Sequence, residues 1–221
     1  MRTAPGQQTE DEPPMQIFPR SLNRLPAIVA VTVALLGGVV TGLVWYYFSP
    51  LNTQVGYQPH QPVPYSHLLH AGQMGMDCRY CHANLERAAH AQIPPTQTCM
   101  NCHTLVRTDS ARLAPVRESW ESGRAIEWVK VHRLPDHAYF DHSVHLSAGV
   151  GCVTCHGRVD QMEVVRHDQP LSMAWCLNCH RNPAPNLRPV DQITNMDPNL
   201  SGTGRPPRQL NPPTTCSGCH R

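Results

Sequence analysis

The sequence predicts one N-terminal membrane-spanning helix followed by a loop-rich domain of short helices with almost no sheet. Three observations predict it. The run Ala27 to Phe48 (AIVAVTVALLGGVVTGLVWYYF) carries no charge over 22 residues, which is long enough to cross a hydrocarbon core. The 221-residue chain holds only three Phe, against 22 Pro, 14 His and 10 Cys, so side chains alone bury too little to stabilise a domain of this length. Finally, all ten cysteines fall in CxxC pairs, and every pair is followed at once by His.

The pairs read Cys78-Arg79-Tyr80-Cys81-His82, Cys99-Met100-Asn101-Cys102-His103, Cys152-Val153-Thr154-Cys155-His156, Cys176-Leu177-Asn178-Cys179-His180 and Cys216-Ser217-Gly218-Cys219-His220. Two thiols three apart can form thioethers to the two vinyl groups on one edge of a porphyrin. The adjacent imidazole then turns under the ring as proximal ligand to the iron. CxxC pairs also bind zinc, and an even cysteine count can mean disulfides, but neither use requires His in the next position. The fold class is therefore a multihaem cytochrome c, with a transmembrane helix and a short-helix domain wrapped around five haem c groups that serve as its hydrophobic core.

Residues 1–24 read as a disordered cytoplasmic tail, 25–49 as the anchor and 50–221 as the haem domain. Arg20 and Arg24 precede the apolar run, and neither Lys nor Arg stands between Phe48 and Arg79. The positive-inside rule leaves the N-terminus in the cytoplasm and sends the haem domain to the periplasmic side of a bacterial membrane. Trp45, Tyr46, Tyr47 and Phe48 form an aromatic belt at the outer interface. A cleaved signal peptide is the competing reading, but such a run is usually shorter and ends in small residues, whereas this one ends in WYYFSP. The formal charge is only +2 and Lys130 is the single lysine, so no nucleic-acid partner is expected.

The haem domain contains a partial repeat, near residues 65–103 and 140–220. Tyr65-Ser66-His67-Leu68-Leu69-His70 stands before the first motif, and Phe140-Asp141-His142-Ser143-Val144-His145 before the third. A pair of His three apart on one helical turn can send two imidazoles to two different irons, so His67, His70, His142 and His145 are candidate distal ligands. Between the units, residues 105–133 have ordinary helical and charged character (RESWESGRAIEWVKVHR) and read as a connector of one or two helices. Arg79, Arg87, Arg107, Arg158 and Arg181, next to motifs, are candidates to pair with haem propionates.

The pattern aromatic-x-His-x-x-His before CxxCH resembles the small class III and triheme cytochromes c. The resemblance implies that His67 serves the haem of Cys78/Cys81 and His142 that of Cys152/Cys155. It also implies that His70 and His145 cross to other haems, most simply those of Cys99/Cys102 and Cys176/Cys179. For the fifth haem, His132 is the first candidate, with Met173 and Met162 as alternatives, since the triheme cytochromes keep their last distal ligand between such motifs. His90, His137 and His167 are further possible ligands, though each reads first as a surface residue, and His60, near the membrane exit, reads as structural or solvated.

Longer strings, DCRYCHANLERAAHAQIPPTQTCMNCH, WVKVHRLPDHAYFDHSVHLSAGVGCVTCHGRVDQMEVV and PLSMAWCLNCHRNP, resemble the pentahaem subunit of bacterial alternative complex III, a membrane quinol:electron-acceptor oxidoreductase of respiratory or photosynthetic chains. That resemblance implies an electron-carrier subunit rather than an enzyme in its own right. Its implied partners are an iron–sulfur subunit, quinol-binding integral membrane subunits and a monohaem cytochrome c. Two other functions compete: a standalone membrane-anchored quinol dehydrogenase, and a multihaem reductase with one open haem.

Overall fold

The computed structural model describes residues 17–48, 54–204 and 210–220. The chain divides into two compact units, Met1–Asn52 and Thr53–Arg221. In the first, a 3-10 turn over Arg20–Arg24 leads into α1, Leu25–Phe48. Pro26 lies in the first turn of α1, where its missing N–H removes no intrahelical bond. At about 1.5 Å per residue the helix is about 36 Å long, and all its side chains are exposed. It is long and apolar enough to cross a membrane. Residues 1–16 of the expected tail, and Ser49 at the end of the expected anchor, lie outside the described residues.

Among the described residues, the second unit carries seven short α-helices strung on loops and 3-10 turns: α2 (Cys78–Cys81), α3 (Thr96–His103), α4 (Ala114–Ser122), α5 (His142–Ser147), α6 (Cys152–His156), α7 (Met173–Arg181) and α8 (Cys216–Cys219). A π-helical turn, Leu68–Gln73, follows His67. Among the described residues there is no strand, and extended pairing is confined to the isolated bridges Ala138–His220 and Val150–Leu187. Three of these helices, α2, α5 and α7, start where a side chain satisfies a free N–H. Asp77 accepts from the N–H of Arg79 at 2.8 Å, Asp141 from that of Ser143 at 2.8 Å, and Ser172 from that of Trp175 at 3.3 Å.

The connector is less helical than its composition suggests. Its α-helix, α4, ends where Gly123 takes φ 67°, a left-handed conformation open to glycine at little cost. From Arg124 to His132 there is no helix. Ile126 and Trp128 of this stretch pack instead against a small core of Val63, Met100 and Val116.

A second small core joins Leu85, Leu146 and Ile193. Nine apolar side chains are buried among the described residues, few for a unit of this length. The loop after α7 is fastened by Arg188, only 1% exposed, whose guanidinium donates to Ser201 Oγ at 3.0 Å and to the Asn195 carbonyl. A Cβ on Gly151 would lie 2.2 Å from Arg188 Nε, so the residue before Cys152 must be glycine for this loop to close on α6. The same loop then gives the Ile193 carbonyl to the N–H of Cys152 at 3.0 Å.

With so thin an apolar core, the chain made without haem attachment should show no cooperative thermal transition by near-ultraviolet circular dichroism, whereas the haem-loaded protein should melt sharply. A sharp transition in the haem-free chain would mean that side-chain packing suffices.

Candidate functional site

Each CxxCH forms or ends a helical turn. Its two cysteines, three apart, therefore leave the same side of the turn. No disulfide joins any of the ten cysteines. Burial pushes the Cys155 thiol up to about 12, with the thiols of Cys179 and Cys176 adding to the effect. Among the described residues, no group of three or more His, Cys, Asp or Glu converges as ligands of a bare metal ion would.

The imidazoles come instead in facing pairs. Ring centroids stand 6.3 Å apart for His70 and His103, 6.4 Å for His142 and His156, and 6.0 Å for His145 and His180. Two metal–nitrogen bonds of about 2 Å, with each ring centre about 1.1 Å behind its nitrogen, put two imidazoles that share one ion about 6.2 Å apart.

Hydrogen bonds select which nitrogen is left for the ion. His70 Nδ1 donates to the Ser66 carbonyl at 2.8 Å and His145 Nδ1 to that of Asp141 at 2.7 Å, in each case four residues back. His142 Nδ1 donates to Ala89 at 2.8 Å, and His103 Nδ1 to Val106 at 2.9 Å. His82 donates to Gln92 at 2.9 Å, His180 to Pro213 at 2.7 Å and His220 to His137 at 3.0 Å. With Nδ1 engaged as a donor, Nε2 is the unprotonated nitrogen of the neutral ring. Burial lowers His156 to about 3, with the imidazoles of His132 and His142 adding to it. Burial also lowers His67 to about 4, helped by neighbouring His82. Both rings stay neutral at physiological pH.

The residues matching the family model described as "Cytochrome c7 and related cytochrome c" are 138–221, which contain the last three CxxCH motifs. The chain is also 31% identical over 178 residues to a protein of Nitratidesulfovibrio vulgaris (strain Hildenborough) named "Menaquinone reductase, multiheme cytochrome c subunit". That match covers 71% of this chain and 80% of the relative. The chain belongs to the multihaem cytochromes c. Haem c, bound covalently, is the cofactor of this family.

The cytochrome's residues fit that cofactor. Cysteines paired on one helical side stand next to imidazoles, with Nδ1 engaged in four of the five motifs, and three of the five imidazoles stand from another ring at a distance that one iron spans. The aromatic residue that opens each repeat orients both histidines after it. Tyr65 stacks on His70 (4.5 Å, 21°) and meets His67 edge-on (4.7 Å, 85°). Phe140 does the same to His145 (4.4 Å, 29°) and His142 (4.8 Å, 88°). Recurrence marked these aromatics in the sequence. Their wedge between two imidazoles becomes visible only when the turn is built.

The remaining candidates are placed differently. His132 packs edge-on against His156 at 4.4 Å and against His167 at 5.2 Å, which sets it beside the third motif. Met173 is 67% exposed, while Met162 is 3% exposed, and its carbonyl accepts from the N–H of Leu68. The ring contact of His220 is with His137, 5.4 Å away, tilted by 33° and closer than the facing pairs. Arg79 pairs with Asp77 and Glu86, and Arg158 with Asp160, so both guanidinium groups already have carboxylate partners.

The shared geometry of Tyr65 and Phe140 predicts that Tyr65→Phe leaves every haem low-spin, because Phe140 does the same work without a hydroxyl. Tyr65→Ala should free both imidazoles and give a high-spin fraction in the visible and paramagnetic resonance spectra, in the direction of His70→Ala but smaller. A spectral loss in Tyr65→Phe as large as in Tyr65→Ala would assign the effect to the hydroxyl instead.

Proposed function

We propose that this cytochrome carries five haem c groups and relays electrons as a subunit of a membrane quinol:electron-acceptor oxidoreductase of the alternative complex III type. The observation that carries the reading is the set of facing imidazole pairs at 6.0–6.4 Å. Ligation by two histidines leaves an iron no open position for substrate, which suits a carrier rather than a reductase. When bound, haem c supplies a one-electron ferric/ferrous couple.

The chain's own residues hold and insulate that couple. In this reading Cys78/Cys81, Cys99/Cys102, Cys152/Cys155, Cys176/Cys179 and Cys216/Cys219 attach the five groups. His82, His103, His156, His180 and His220 are proximal ligands. His67, His142, His70 and His145 are the distal ligands of the first, third, second and fourth haems; backbone carbonyls behind Nδ1 keep the rings of His142, His70 and His145 in orientation, while Tyr65 packs edge-on against His67. The arginines before α1, with none between Phe48 and Arg79, support a single-pass anchor with its N-terminus in the cytoplasm and the haem domain in the periplasm. The partners are an iron–sulfur subunit, integral membrane subunits that bind quinol, and a monohaem cytochrome c. The resemblance of the strings around the first four motifs supports that set.

A second reading is favoured by the name of the Nitratidesulfovibrio relative, a menaquinone reductase subunit. In that reading electrons run toward the quinone. Stopped-flow mixing of the assembled complex with a menaquinol analogue separates the alternatives. Our reading expects rapid haem reduction in the complex and little in the isolated chain. Haems that stay oxidised with menaquinol, yet pass electrons from a reduced periplasmic carrier to menaquinone, would reverse the direction. Fast, inhibitor-sensitive reduction of the isolated chain would identify a standalone quinol dehydrogenase.

A further inference from the structure

Hydrogen bonds and shared ligand turns connect the five CxxCH motifs in an order that differs from their order in the chain. The turn bearing His67 and His70 precedes the first motif, yet His70 faces His103 of the second. The side-chain amide of Asn101, inside the second motif, also donates to the Tyr80 hydroxyl, inside the first, at 3.2 Å. These contacts join the second motif to the first.

The first motif next meets the third. Ile193 and Thr194 lie between them: the Ile193 carbonyl accepts from the Cys152 N–H at 3.0 Å, and the Thr194 carbonyl oxygen lies 4.0 Å from the Cys78 sulfur. The Thr194 hydroxyl donates to the Asp77 carboxylate at 2.9 Å, which fixes this strip against the start of α2. The third motif joins the fourth through α5, which sets His142 opposite His156 and His145 opposite His180. The fourth joins the fifth because His180 Nδ1 donates to the carbonyl of Pro213, three residues before Cys216.

Exposure marks the two ends independently. Cys102 of the second motif and Cys216 of the fifth are the exposed cysteines, while the other eight are partly buried.

From these contacts we propose that the five attachment sites form one unbranched line in the order second, first, third, fourth, fifth, with a one-electron donor protein meeting it at one end and a one-electron acceptor protein at the other. The inference rests on the five-haem relay proposed above and adds its order and its two ports. In each transfer one ferrous iron becomes ferric and its neighbour ferric becomes ferrous, with no proton or bond change required. Whichever way the current runs, the first motif lies inside the line and the second lies at its end.

The test removes one site at a time in the assembled complex. The Cys78→Ala/Cys81→Ala variant, shown by intact mass to keep four haems, should split quinol-driven reduction into two phases at least tenfold apart, with one haem on one side of the gap and three on the other. The Cys99→Ala/Cys102→Ala variant, also with four haems, should show a single phase. The reverse pattern, or a single phase in both, would overturn the order. Should either variant fail to mature, a structure of the wild-type haem-loaded complex decides the matter. The haem of the first motif must lie nearest to those of both the second and the third, and a direct second-to-third contact would overturn the line. Wild-type protein with fewer than five haems would instead refute the five-haem reading beneath it.

Discussion

A metal ion held between two imidazoles requires that the rings face each other across about 6 Å, that each offers one unprotonated nitrogen, and that neither turns away. The ligation proposed here would place that requirement on much of this chain. Backbone carbonyls as far apart in sequence as Ala89 and Pro213 accept from Nδ1 of His142 and His180 and so present Nε2. Asp141 meets two needs at once: its carboxylate caps α5 through the N–H of Ser143, and its carbonyl holds His145. Tyr65 and Phe140 complete the arrangement by stacking on one histidine ring and blocking the other from its edge.

The fold follows from the same constraint. Helices are short because a CxxCH needs only one turn to align two thiols and an imidazole. Loops are long because the carbonyls and ligand turns must arrive from distant parts of the chain. The two side-chain clusters, around Val116 and around Ile193, do not fill the unit but position the loops that reach the motifs. Ile193 illustrates this: its side chain is buried with Leu85 and Leu146 while its carbonyl fixes the start of α6. Arg188, buried and donating to the carbonyls of Asn195 and Asp197 and to the Ser201 hydroxyl, ties that loop down from behind.

What could be read from the sequence depended on how tightly chemistry binds residue spacing. Thioether attachment fixes CxxCH to the residue, so the motifs, the scarcity of sheet and the apolar N-terminal helix were legible without coordinates. The repeat of aromatic and paired histidines was legible as a recurrence, but the stacking that explains it was not, because ring orientation depends on the turn that carries it. Helical composition ran past Gly123, where backbone handedness ended α4 and turned Ile126 and Trp128 into core residues. The neighbourhood of the first and third motifs was hidden, since it is made by Ile193 and Thr194 in a proline-rich stretch with no local signal. The surroundings of His132 were equally illegible: spacing cannot distinguish a ring beside His156 from one that reaches His220.

The central claim is that every CxxCH in this chain holds one haem. Intact mass spectrometry of the full-length protein, after acid–acetone extraction to remove haem that is not covalently bound, tests it most directly. The account predicts a single species whose mass exceeds that of the polypeptide by five haem groups. A principal species with four or fewer, from cells with a complete haem-attachment system, would contradict it.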